Sequence, residues 1–355
     1  GPVHDTVLRV LHPGDLPVER GSLAGAAARL AADQRDDRLL RATGPARRRA
    51  GLALADELLA CEPIGPAGGE RRASADRDEH DRHFGVLRVR GDSGAILLAS
   101  LLVSYLDLLD DVERGGTTLD RTKWTDLLRV PTLVFDFALR RPPASVGADV
   151  PVPAGRGELQ PHRRWHVGHR LFFTLIQVTI QAVTGLSQAA RARDVAGVRE
   201  CVDLVRLTSL GSAAALRLAA DFSPVDYQRT VRPTMLPPHV RPGFSGLQTR
   251  DHHHLVRAMG KLRADMATVA ELGAPHTTLI SAIRSLYDAH AHVCTRFGGG
   301  VAPSLRMAAL GQHDGKGAEV VRGLAKHRES LIEPALGNTR DRPHAYRRSG
   351  EETYE

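Results

Sequence analysis

The stretch HTTLISAIRSLYDAHAHVCTRF, residues 276–297, followed by three glycines at 298–300, decides how this chain is read. Placed on a helix at about 100° per residue, Ile283, Tyr287, His290, Cys294 and Phe297 fall on one stripe, with Leu279 and Ile280 at its start. His290 and Cys294 stand at i and i+4, so both side chains leave the helix together on its apolar face. His292 points the other way and is expected at the surface, or as a helix C-terminal partner where imidazolium is favoured. The glycines end the helix.

The stretch before it, GLQTRDHHHLVRAMGKLRADM at 246–266, follows the same period. Gln248, His252, Leu255, Met259, Leu262 and Met266 make its apolar stripe. Of the three consecutive histidines His252 faces inward most directly, and His253 or His254 remains open in its place. Two neighbouring helices thus each offer an inward histidine, one with a cysteine a turn away.

Further out, helical periodicity recurs at 22–42, 46–61, 93–112, 117–142, 166–191, 194–222 and 317–332. Pro131 is expected to kink or break its helix, and Ser223 with Pro224 signals a short helix start. Two stretches rich in Pro, Gly and charge, 62–83 and 143–163, read as loops. No internal repeat is visible, and nothing suggests a parallel sheet. The expectation is an all-α bundle: a single helical domain over 1–340, then a charged tail over 341–355.

Composition narrows the class. A hydrophobic fraction of 42% supports a sizeable core, and with only 4% aromatics that core is aliphatic. The net charge of +7 could suit a polyanion. Yet the arginines alternate with Asp and Glu, as in RDDRLLRATGPARRR (35–49) and DRDEHDRH (76–83), which is the pattern of solvated faces. No nucleic-acid motif accompanies them. No apolar run reaches the length of a membrane span, no signal peptide is visible, and three scattered cysteines (Cys61, Cys201, Cys294) make no disulfide framework. A cytoplasmic protein without nucleic-acid or membrane partners is expected. His80 and His83 are read as part of a solvated charge run, and His166 and His169 as helix-start or surface residues.

For His252, His290 and Cys294, two chemistries fit the residue types. Zinc takes His and Cys in a tetrahedron, although structural zinc sites usually carry tight Cys pairs. Haem takes two axial histidines, and a thiol can add to its vinyl group, although the Cys-x-x-Cys-His attachment motif is absent. Spacing alone does not choose.

A resemblance does. Over residues 168–305 the chain resembles the tryptophan 2,3-dioxygenase superfamily of haem enzymes. HRLFFTLIQVTIQAVTGLSQA (169–189), DFSPVDYQRTVRPTML (221–236), RPGFSGLQTRD (241–251) and HAHVCTRFGGGVAPSL (290–305) are similar, in order, to four of its segments. In the last of these the family's proximal histidine lies six residues before an arginine, here Arg296, which places the match on His290. The chain also departs from the pattern. Ile176, followed by Gln177, stands where the family has its distal histidine, the glycine-rich loop shrinks to Gly298–Gly300, and Cys294 appears four residues after His290. This combination resembles one branch, the haem 3-methyl-L-tyrosine hydroxylases of saframycin-type biosynthesis.

That likeness implies a haem-dependent oxidoreductase hydroxylating 3-methyl-L-tyrosine to 3-hydroxy-5-methyl-L-tyrosine with H2O2, or with O2 and a reductant. It implies His290 as proximal ligand, His252 as distal ligand and acid–base group, and Cys294 as a single thioether anchor for haem. Arg229, Arg232 and Ser245 become candidates for the amino-acid end of the substrate, and a homo-oligomer is expected. An indole-cleaving dioxygenase, or a non-catalytic haem- or zinc-binding protein, are the alternatives.

Overall fold

A computed structural model describes residues 7–32, 61–63, 72–141, 151–244, 249–274, 276–298 and 317–333. Ten helices matter to the argument: α1 (Arg20–Ala32), α2 (Arg72–His83), α3 (Ser93–Gly115), α4 (Arg121–Leu139), α5 (Pro161–Arg191), α6 (Val195–Ala219), α7 (Arg250–Leu262), α8 (Met266–Glu271), α9 (His276–Gly298) and α10 (Gly317–Ile332). Three short strands, β1 (Leu8–Leu11), β2 (Cys61–Pro63) and β3 (Val86–Gly91), form a small sheet in the order β1-β3-β2. β1 runs parallel to β3, with Leu8 opposite Val86, and β2 runs antiparallel. The all-α expectation holds, with this sheet as an unforeseen appendage packed on α3.

The helices start and stop for local reasons. Asp92 caps α3 by accepting from the Ala95 N–H at 3.0 Å, and Gly116, at φ 65, ends it where a Cβ would be strained. Asp120 and Asp194 cap α4 and α6 in the same way. α4 continues through Pro131, so of the expected kink or break the break does not occur. Tight packing holds it: a Cβ on Gly211 of α6 would lie 2.6 Å from Val130.

α3 and α5 form the centre. Both are buried on nearly every side, as an apolar helix enclosed by others must be. α5 is also long and apolar enough to cross a membrane by length and composition, contrary to expectation, but 78% of its most apolar window is buried inside the protein. It is a core helix, packed by α3, α6 and α7. Arg164 fastens its start: fully enclosed, it donates to the Asp111 carboxylate and to the Gly116 carbonyl at 2.7 Å. Asp221 accepts from the Thr117 hydroxyl and the Thr118 N–H, each at 2.7 Å, and so ties the segment after α6 to the α3–α4 turn.

The stretch 62–83, expected as a loop, contains α2 instead. His80 on its inner side is 2% exposed and stacks on Phe244 at 4.1 Å. A charge run reads as loop because its apolar contacts come from residues far away in sequence. Of the expected 46–61 helix, residues 46–60 lie outside the described residues and Cys61 opens β2 instead; the 341–355 tail also lies outside them.

Candidate active site

α9 presents the face that its period predicts. Ile283, Tyr287 and Phe297 are buried, and His290 and Cys294 between them are half-buried. The backbone of α9 packs along α6 and α10, not along α5 or α7. Side chains of α5 and α7 nevertheless reach it, Trp165 at Phe297 and His252 at Tyr287. His292, in the last turns of α9, is half-buried and within electrostatic reach of Arg217 and Arg296.

His290 has no hydrogen-bond partner among the described residues, and burial pulls its imidazole down to about 4. It is therefore neutral at pH 7 and keeps a free lone pair. Cys294, one turn on, is a free thiol whose pKa burial raises, so it is protonated near neutrality. Tyr227 lies within electrostatic reach of that thiol, and its ring stacks on Phe297 at 4.0 Å.

On α7 the question of which histidine faces inward is answered by geometry. Thr249 caps the helix and accepts from the His252 N–H at 3.2 Å. Asp251, His252, Leu255, Met259 and Leu262 are buried, whereas His253 is exposed and His254 is half-buried beside Arg257. His252 reaches α9 directly: its Nε2 lies 3.1 Å from the Tyr287 hydroxyl. The charge of Arg328, on α10, is felt at that phenol.

A buried ionic network fixes α7. Arg88 of β3 donates to Asp81 (Nε to Oδ2, 2.9 Å; Nη2 to Oδ1, 2.7 Å) and to Asp251 (Nη2 to Oδ2, 2.7 Å; Nη1 to Oδ1, 3.1 Å). Burial opposes its charge, but the two carboxylates outweigh burial and hold the guanidinium above its ordinary range. Gln177 of α5 donates to Asp251 Oδ1 and to the Leu11 carbonyl, each at 2.8 Å. The residue before His252 is thus held by a strand and a core helix at once.

The third wall is α5. His169 Nδ1 lies 2.7 Å from the Trp165 carbonyl, and its ring stacks on Phe84 at 4.7 Å. Burial is the main cause that lowers its pKa to about 3, and His290 is among the charges that add to the effect. His166 and His83 are drawn down to about 2 and about 4, first by burial and then by neighbouring imidazoles. His83 and His166 rings are 5.3 Å apart, and each Nε2 is buried without a hydrogen-bond partner among the described residues. His166 and His169, each 8% exposed, are therefore core residues, not the surface residues expected. Their signal was present in the sequence: from Trp165 onward α5 is apolar on all sides. Arg88 and Asp81 carried no such signal, because their partner Asp251 is far along the chain.

Of the residues expected to hold the amino-acid end, Arg229 is exposed. Arg232 is half-buried, with its charge felt by Tyr227. Ser245 lies outside the described residues.

Does the arrangement fit a haem? A neutral imidazole with no hydrogen-bond partner among the described residues, a thiol a turn away on the same face, and a second imidazole reaching that helix from α7 form a donor set suited to iron porphyrin. Among the described residues no three or more His, Cys, Asp or Glu side chains converge to hold a bare metal ion, which disfavours the zinc alternative.

Comparison with known proteins agrees. The profile of the family described as SfmD 3-methyl-L-tyrosine peroxygenase matches residues 9–276, ending where α9 begins. The 3-methyl-L-tyrosine peroxygenase of Streptomyces lavendulae is 29% identical over 254 residues, which are 70% of this chain and 68% of that protein. The crystal structure of reduced SfmD, obtained by soaking with sodium hydrosulfite, matches with a TM-score of 0.63 and 25% identity, covering 82% of this chain and 98% of that one. A sequence profile spanning well over half of the chain and a shared helical architecture lead to one conclusion: the chain belongs to the SfmD 3-methyl-L-tyrosine peroxygenase family.

Proposed function

We propose that this chain is a haem-dependent peroxygenase that hydroxylates the ring of 3-methyl-L-tyrosine, with haem held between α7 and α9. Family membership supports a haem-type cofactor and an amino-acid substrate. The observation that carries the reading is geometric: His290 and Cys294 share one face of α9, and His252 of α7 reaches that face at Tyr287.

Bound there, haem supplies an iron centre at which peroxide oxygen is activated for transfer to the aromatic ring. The chain does the rest. With haem bound, His290 would hold its iron through a lone pair that no proton occupies at neutral pH. Cys294 would anchor the group by a thioether, its sulfur adding to one vinyl carbon and its hydrogen to the neighbouring carbon. His252, reaching in from α7, would be a second ligand whose Nε2, when not so engaged, could take and return a proton of peroxide. The aromatic wall of Trp165, Tyr227 and Phe297 keeps water out. Arg232 offers its guanidinium to the substrate carboxylate, a role for which a planar fork is suited; Ser245 is the further candidate there.

Purified protein should be red with a Soret band, keep its colour through acid–acetone extraction, and weigh one porphyrin more than the bare chain. With 3-methyl-L-tyrosine and H2O2 it should yield a product carrying one more oxygen. Colourless protein that takes up no haem would overturn the proposal.

A further inference from the structure

We propose that Tyr287, within electrostatic reach of Arg328, is a positioning residue that gives His252 a second resting place off the metal. This rests on the haem reading above. Three observations carry it.

First, the atom of His252 that meets the Tyr287 hydroxyl is Nε2, at 3.1 Å. A ring nitrogen has one lone pair, so Nε2 can accept from the hydroxyl or bind iron, and cannot do both. The two positions exclude each other. Second, the Tyr287 hydroxyl is both donor and acceptor, so it can give its proton to the imidazole, while the Arg328 charge is felt at the phenol. His252 then accepts as a neutral ring, the same protonation state that metal ligation requires. Exchange between the positions needs no proton transfer. Third, the backbone beneath His252 is immobilised by the Thr249 cap and by Asp251 in its bonds to Arg88 and Gln177. Passage between the two positions is then a turn of the side chain. The distance is short, since Tyr287 and His290 are separated by roughly 4.5 Å along the helix axis.

Without the hydroxyl, a detached His252 leaves its nitrogen unsatisfied in a buried setting, and the ligated state gains. Cyanide reads this directly, because it must displace His252 to reach the iron. In holoenzyme, Tyr287→Phe should bind cyanide about fivefold more weakly than wild type, the size of one buried neutral hydrogen bond. Arg328→Gln, which leaves the phenol in place, should shift it the same way by less. In a His252→Ala background cyanide should bind more tightly, and Tyr287→Phe should then have no effect. Unchanged cyanide affinity in Tyr287→Phe and Arg328→Gln, while His252→Ala raises it, would overturn this role and leave the haem reading intact. Wild-type holoenzyme indifferent to His252→Ala would instead remove His252 as a ligand, and this inference with it.

Discussion

Arg88 and Asp251 meet as a bidentate pair deep in the protein, Nη2 to Oδ2 at 2.7 Å and Nη1 to Oδ1 at 3.1 Å, with Asp251 only 1% exposed. Truncation to Asp251→Ala strands a buried guanidinium with one carboxylate instead of two. The expected loss is about 3–5 kcal/mol of stability, measurable by urea denaturation. A loss below roughly 1 kcal/mol would mean that the pair behaves like an exposed one.

Cys294→Ser should fold and redden like wild type, since Cys294 is half-buried and serine nearly matches its size. Its pigment should leave in acid–acetone, and the chain should show no added porphyrin by intact mass. Retained covalent pigment would move the anchor elsewhere.

Acid stability should follow the core histidines. His83, His166 and His169 have folded-state pKa values of about 4, about 2 and about 3, below the ordinary 6.5. Between those values and 6.5 the unfolded chain binds more protons than the folded one, so stability rises with pH there. It should fall progressively as pH drops below about 6.5, and continue to fall until about 2. Thermal melts from pH 7 to 4 test this, and a melting temperature flat over that range would contradict it.

Gly168 allows α5 and α6 to touch: a Cβ there would lie 2.5 Å from that of Ala219 and 2.7 Å from its Cα. Gly168→Ala should therefore cost about 1–3 kcal/mol despite alanine's better helix propensity. Equal or greater thermal stability would show that the helices can part cheaply.

The two arginines after Tyr227 should separate kinetically. Arg232→Gln should raise KM for the amino-acid substrate about tenfold or more, as loss of a charge-assisted hydrogen bond does. Arg229→Gln, at an exposed position, should leave KM near wild type. Steady-state kinetics with the two variants decides it.

Several features were legible before any fold was known. The period of 276–297 placed Tyr287, His290, Cys294 and Phe297 on one face, and the helix His276–Gly298 puts them there. The stripe from His252 to Met266 is likewise buried. Both patterns are local, set by 3.6 residues per turn and by where apolar side chains recur. Other features were not legible. The run 76–83 reads as solvated, yet His80 and His83 lie against Phe244 and His166.

The chain's own order of residues was enough to specify helices, their inward stripes and the His290–Cys294 pairing, because each is a property of one segment. The stripe already favoured His252; tertiary structure excluded its two neighbours, set its Nε2 on Tyr287, and buried Arg88 between Asp81 and Asp251. Those choices depend on segments up to 163 residues apart. What brings them together is the burial of apolar surface shared among many helices, a sum over the whole core that no local period records.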